Sequence, residues 1–179
     1  MDICRPKNLS SCIQPSRPCP IKIRTFSDIL IMSVSPITCH ILDTAIGKPA
    51  ANVTCSLYYM APEIDNLVNE LAYDLGSGTL FAMAKTDADG RIKNWVYDPQ
   101  LSSENQAKIG LKQNQHTDLK PGVYKIKFLT GKYFAQLADN SRSFFPFVEI
   151  YFKIDNPPDH HYHIPLLLSN FSYTTYRGS

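Results

Sequence analysis

The chain has 179 residues, a net charge of +2, thirteen prolines and five cysteines. That length suits one domain with a substantial core, and so small a charge argues against nucleic acid or an anionic membrane as partner. No apolar run approaches the roughly 20 residues that span a bilayer. The cysteines form no C-x-x-C pair and no zinc spacing, and an odd count without a secretory signal points to reduced thiols in an intracellular protein.

Residues 1–33 differ from the rest. Pro6, Pro15, Pro18 and Pro20 alternate with Arg5, Lys7, Arg17, Lys22 and Arg24. Prolines so spaced prevent a long amphipathic helix, and the stretch reads as a disordered N-terminal extension. Met32-Ser-Val-Ser-Pro36 leads straight into the first strand pattern, so a start at Met32 is an alternative reading. The folded unit is then residues 34–179.

Along that unit, Ile37, Cys39 and Ile41 alternate with Thr38, His40 and Leu42, which predicts a strand. Gly47 and Pro49 break the following loop. A second strand is expected over 52–60, with Val53, Cys55, Leu57 and Tyr59 alternating. Ile64, Leu67, Val68 and Leu71 follow helical spacing behind Pro62, so 62–74 reads as a short amphipathic helix. From Gly78 to Lys85 strand alternation returns, with Leu80, Ala82 and Ala84 against Phe81 and Met83. Asp87-Ala-Asp-Gly90 is a tight turn that sets Arg91 at the head of the next strand. The polar stretch 99–117 reads as a surface loop with a helical piece. Strands follow over 123–130 and from Phe144 to Ile154, with a short helix at 131–138 between them.

The final nineteen residues form a hairpin pattern. His161, His163, Pro165 and Leu167 fall on one face, and Tyr162, Ile164, Leu166 and Leu168 on the other. Ser169-Asn170 sits at turn length, and Phe171 to Tyr176 is a second aromatic and Thr-rich strand. Seven or eight short strands with one or two short helices make this an all-β chain, most naturally a two-sheet β-sandwich.

The residues alone say little about chemistry. His161-x-His163 faces one way and is a conceivable metal pair, but zinc needs three or four ligands, and no metal is expected. His40 and His116 stand alone, and Arg91 and Arg177 read equally well as surface charges. There is no nucleophile elbow, phosphate loop or paired-carboxylate motif.

Longer motifs add more. Ser35-Pro-Ile-Thr-Cys-His-Ile-Leu-Asp43, Gly47-Lys-Pro-Ala50, Asp89-Gly-Arg91, Leu119-Lys-Pro-Gly-Val-Tyr124, Phe144-Phe-Pro146, His161-Tyr-His-Ile-Pro-Leu-Leu-Leu-Ser169 and Tyr176-Arg-Gly-Ser179 occur in order. Together they resemble the transthyretin-related 5-hydroxyisourate hydrolases. The terminal Tyr-Arg-Gly-Ser separates those hydrolases from the hormone-carrying transthyretins. The resemblance implies a transthyretin-like sandwich and a homotetramer with active sites at a subunit interface. It implies hydrolysis of 5-hydroxyisourate, a purine derivative, to 2-oxo-4-hydroxy-4-carboxy-5-ureidoimidazoline in urate degradation, without a cofactor.

By the same resemblance His40, Arg91, His163 and Ser179 are catalytic, and His40, Arg91, Tyr176 and Arg177 bind substrate. One residue added beyond Ser179 is expected to cripple the enzyme. Cys39 stands where the family often has Thr, and Asn170 and Ser172 where it has Pro and Gly. The stretches 59–80 and 99–117 are longer than usual. A carrier of small aromatic ligands is the alternative function, and an interaction domain without chemistry a third. The cytoplasm is the expected compartment, with the peroxisome as second.

Overall fold

The computed structural model describes residues 34–61, 76–113, 115–137 and 142–178. The N-terminal extension, the helix expected over 62–74 and Ser179 lie outside the described residues. In chain order the elements are β1 (Ile37–Asp43), β2 (Lys48–Pro49), β3 (Thr54–Ala61), β4 (Thr79–Lys85), β5 (Arg91–Ile92), β6 (Val96–Tyr97), α1 (Ser103–Ile109), β7 (Leu111–Lys112), β8 (Gln115–His116), β9 (Gly122–Phe128), α2 (Thr130–Ala135), β10 (Val148–Ile154), β11 (Tyr162–Leu168) and β12 (Tyr173–Thr175).

The strands form the expected sandwich. One sheet runs β12-β11-β1-β2, with β5 also pairing β1; the other runs β10-β9-β3-β4-β6. β1 and β11 are parallel, and the rest of both sheets is antiparallel. Alternation decides which residues face inward. Ile37, Cys39 and Ile41 from β1 and Tyr162, Ile164, Leu166 and Leu168 from β11 are buried against Cys55 and Leu57 of β3 and Tyr124, Ile126 and Phe128 of β9. The opposite face of β1 and β11 carries Thr38, His40 and His163.

Three local expectations change. The β4 alternation fails because β3 and β4 slip register between Leu57 and Tyr58. The bulge turns two neighbours inward together, so Phe81 and Ala82 are both buried while Met83 is exposed. The 99–117 stretch is more than a surface loop. Ser102 caps α1 by accepting a hydrogen bond from the Asn105 N–H, β7 and β8 pair as a small hairpin, and Ile109, Leu111 and His116 are buried. The last turn is also longer than Ser169-Asn170. Leu168 pairs with Tyr173, which leaves residues 169–172 as the loop, closed by Ser169 N–H donating to the Ser172 carbonyl at 2.9 Å.

Pro165 sits inside β11 between two neighbouring strands, where proline is unusual because it cannot donate to the ladder. The structure accommodates it on the β12 side. Regular pairing with β12 stops at Thr175, whose hydroxyl donates to the Pro165 carbonyl at 2.8 Å. Pairing resumes at His163 and Gly178. Tyr176 and Arg177 lie in the gap so created.

Candidate active site

Arg91 is set by its turn. The Asp87 carboxylate accepts from the backbone N–H of Asp89 at 3.0 Å and of Arg91 at 2.8 Å. Gly90 closes the turn at φ +72°, and a Cβ there would sit 2.4 Å from the Ile41 carbonyl oxygen. Only glycine lets the turn lie this close against β1. In the resulting register Arg91 pairs directly with His40, whose ring lies close to the Asp89 backbone.

His163 reaches the same face from the other side of β1. The parallel register sets it beside Thr38. The Thr38 hydroxyl lies 2.8 Å from Nδ1 of His163 and 2.9 Å from Nε2 of His161. The two imidazoles are nearly parallel, with centroids 6.3 Å apart. Gly178 supports His163 from the opposite edge. Its N–H donates to the His163 carbonyl at 2.9 Å, and a Cβ on it would fall 2.6 Å from Cδ2 of the ring. Glycine there lets the imidazole lie across the backbone.

Both half-buried histidines favour the neutral form. Burial lowers the pKa of His40 first, and the Arg91 guanidinium lowers it further; the Asp89 backbone contact and the Asp87 and Asp89 carboxylates oppose this. Burial also lowers His163, followed by Arg91, His161 and His40. A neutral imidazole has a lone pair that can take a proton, and a guanidinium remains charged at any working pH.

Tyr176 and Arg177 line a separate cleft of ≈ 320 Å³ between β10 and the β11–β12 edge. His163 borders this cleft, whereas His40 and Arg91 do not. The Arg177 guanidinium pairs with Asp159 and lies 5.3 Å from the centre of the Tyr162 ring. Ser179 follows Gly178 and lies outside the described residues. The structure therefore gathers His40, Arg91 and His163 on one sheet face and puts Tyr176 and Arg177 at its edge.

The family model for the HIUase/Transthyretin family matches residues 37–178. The chain belongs to the HIUase/Transthyretin family. Among its relatives, the probable 5-hydroxyisourate hydrolase of Schizosaccharomyces pombe is 36% identical over 143 residues, covering 80% of this chain and 90% of that one. The 5-hydroxyisourate hydrolase of Mus musculus is 33% identical over 145 residues, covering 81% and 96%. Among solved structures, the Klebsiella pneumoniae 5-hydroxyisourate hydrolase aligns with a TM-score of 0.53 at 28% identity, covering 81% and 94%. The transthyretin of Sparus aurata aligns at 0.54 and 28%, covering 80% and 96%. Fold similarity alone does not separate hydrolase from carrier in this family, so the separation rests on side chains.

Sequence reasoning missed Thr38. A threonine on the polar side of a strand carries no signal by itself. Its role became visible only once the parallel β1–β11 register set it between two histidines. The His161-x-His163 spacing suggests only a metal pair; in the structure the His161 ring is turned to Thr38.

Proposed function

We propose that this family member is a hydrolase that opens the ring of 5-hydroxyisourate to 2-oxo-4-hydroxy-4-carboxy-5-ureidoimidazoline in urate degradation. The observation that carries the reading is the adjacency of His40, Arg91 and His163, two imidazoles favoured in the neutral form beside one permanent cation. The hydrolase names of the full-length relatives support it.

Ring opening by water needs a base for the water proton and a donor for the oxygen that gains charge. In this proposal His40 and His163 hold and deprotonate water. The new C–O bond forms as the ring C–N bond breaks, and the proton returns to the leaving nitrogen. Arg91 binds the carbonyl-rich substrate through its planar fork and stabilises the developing oxyanion. Tyr176 and Arg177 bind substrate, and Ser179 helps to position the water. The working unit spans 34–179 and assembles as a homotetramer with sites between subunits. The proposed compartment is the cytoplasm, with the peroxisome as second. Among the described residues no helix is long and apolar enough to cross a membrane.

The test generates 5-hydroxyisourate in place with urate oxidase and follows the decay of its near-ultraviolet absorbance. Wild-type protein should speed the decay, and His40→Ala, Arg91→Ala and His163→Ala should each abolish the gain. Decay at the spontaneous rate with folded protein would reject the enzyme and favour a carrier, to be examined by ligand titration.

A further inference from the structure

The hydroxyl of Thr38 is shared between two imidazoles. A threonine hydroxyl has one proton to donate and two lone pairs to accept with. Nδ1 of His163 and Nε2 of His161 lie at 2.8 and 2.9 Å from it. Thr38 itself is buried, and its hydroxyl has no other hydrogen-bond partner among the described residues. If the hydroxyl donates to one ring, the other ring must donate to it. The two facing nitrogens are then in opposite protonation states, and because one is Nδ1 and the other Nε2, both rings are the same tautomer.

We propose that Thr38 is a positioning residue that fixes the tautomer of His163 through this shared hydroxyl and connects His163 to His161 as a proton relay. The inference rests on the hydrolase reading and deepens it. In the resting arrangement His163 donates from Nδ1 to Thr38, and Thr38 donates to Nε2 of His161. The lone pair of His163 is then on Nε2, to which no described residue hydrogen-bonds. When Nε2 takes a proton from water, the Nδ1 proton moves to the Thr38 oxygen and the Thr38 proton moves to His161. His163 stays neutral, and His161 carries the charge. The relay runs in reverse when Nε2 gives its proton to the leaving ring nitrogen, so no net proton is gained or lost.

The surroundings favour that division. Arg91 on β5, His40 on β1 and His161 just before β11 all disfavour a cationic His163. Arg177 borders the cleft beside it and is neutralised by Asp159. His161 is exposed, so water solvates the charge passed to it. A lone base beside a guanidinium would have to hold that charge itself, at a Coulombic cost that grows as water is excluded.

Three variants test this. Thr38→Val keeps the shape and removes the hydroxyl. It should lower kcat by roughly 10²-fold, within the range of lost acid–base assistance, while KM stays near the wild-type value. Thr38→Ser restores the hydroxyl and should recover most of kcat. His161→Gln, on an exposed ring, should lower kcat in the same way because an amide cannot carry the proton. Nitrogen-15 spectra of labelled histidines, recorded without substrate, should show both rings as Nδ1–H tautomers in the wild type, His163 facing Thr38 with its N–H and His161 with its lone pair, and loss of that state in Thr38→Val. Unchanged kcat in Thr38→Val, equal damage in Thr38→Ser, or N–H groups from both rings facing Thr38 would overturn the inference. A wild type that fails to speed 5-hydroxyisourate decay would reject the hydrolase reading instead, while the tautomer spectra would still decide what Thr38 does.

Discussion

The chain places histidine in two contrasting settings. On the outer face of the β11–β1–β5 sheet, His40 and His163 are half-buried among a guanidinium, a hydroxyl and other imidazoles. In the α1–β8 segment, His116 is buried edge-on against Phe81, with ring centroids 5.7 Å apart, and against Tyr97 at 6.3 Å. Its Nε2 is 2.9 Å from the Ile109 carbonyl, and its Nδ1 has no partner among the described residues. Burial pushes His116 down to about 4. Yet its surroundings are aromatic rings and a helix carbonyl, which make it a packing element. The size of a pKa shift thus says how dry a histidine is. What the ring can do is decided by the polar groups around it.

The contrast is tested first at the site. His163→Ala or His40→Ala should reduce kcat about 10²- to 10⁴-fold, the usual range for acid–base residues, with circular dichroism unchanged because both rings sit on the outer face of an intact sheet. His116→Phe should leave the rate of ring opening close to wild type. If His116→Phe were as inactive as His163→Ala in folded protein, the division between the two settings would fail.

The second test exchanges the readout from rate to stability. The folded value of His116 is about 4, against about 6.5 in the unfolded chain. Between those pH values the unfolded chain holds more protons, so stability is full above pH 6.5 and falls as pH drops toward 4. The loss is about 3 kcal/mol by proton linkage. Denaturant melts at pH 7 and pH 4.5 should show it, and His116→Phe should flatten the dependence. An equally steep fall in that variant would assign the acid sensitivity elsewhere.

Gly178→Ala is the next largest. The added methyl group must displace the His163 ring, and a misplacement of about 1 Å can cost roughly 10²-fold in rate. The measurement is kcat alongside a thermal melt; a lost rate with an unchanged melt sharpens the reading of Gly178 as support for a ring. The smallest effect is electrostatic. Because burial and then Arg91 lower His40 and His163, the acid limb of kcat/KM should fall below the ordinary imidazole value of about 6.5. Histidine titrations by NMR in Arg91→Ala should shift both rings upward. A downward shift would contradict the sign of the guanidinium's influence.

Much of the sandwich was legible because period-two alternation is a direct consequence of strand geometry. Ile37, Cys39 and Ile41, and Tyr162, Ile164, Leu166 and Leu168, all face inward as their spacing requires. The Asp87–Gly90 turn was readable from residue chemistry, and with it the placement of Arg91. Partner choice was not readable. Nothing in Thr38 or His163 states that β1 runs parallel to β11, and without that register neither the shared hydroxyl nor the support from Gly178 can be inferred. The bulge at Phe81 was hidden because both sides of β4 carry apolar residues. His116 was hidden because a polar, Gln- and Asn-rich segment gives little sign that its few apolar residues dip into the core. The motif resemblance located His40, Arg91 and His163 together, which spacing alone did not.

The pairing of β1 with β11 also has a consequence during synthesis. Thr38 and His163 are 125 residues apart. At about 5–20 residues per second a ribosome takes roughly 6–25 s to add that many. Throughout that interval the nascent chain carries Ile37, Cys39 and Ile41 without the strand that covers their edge, and no arrangement of its residues can assemble the full site. A stalled product ending before Tyr162 would thus be inert toward substrate and would expose a sticky strand edge, a natural target for chaperone capture or proteolysis.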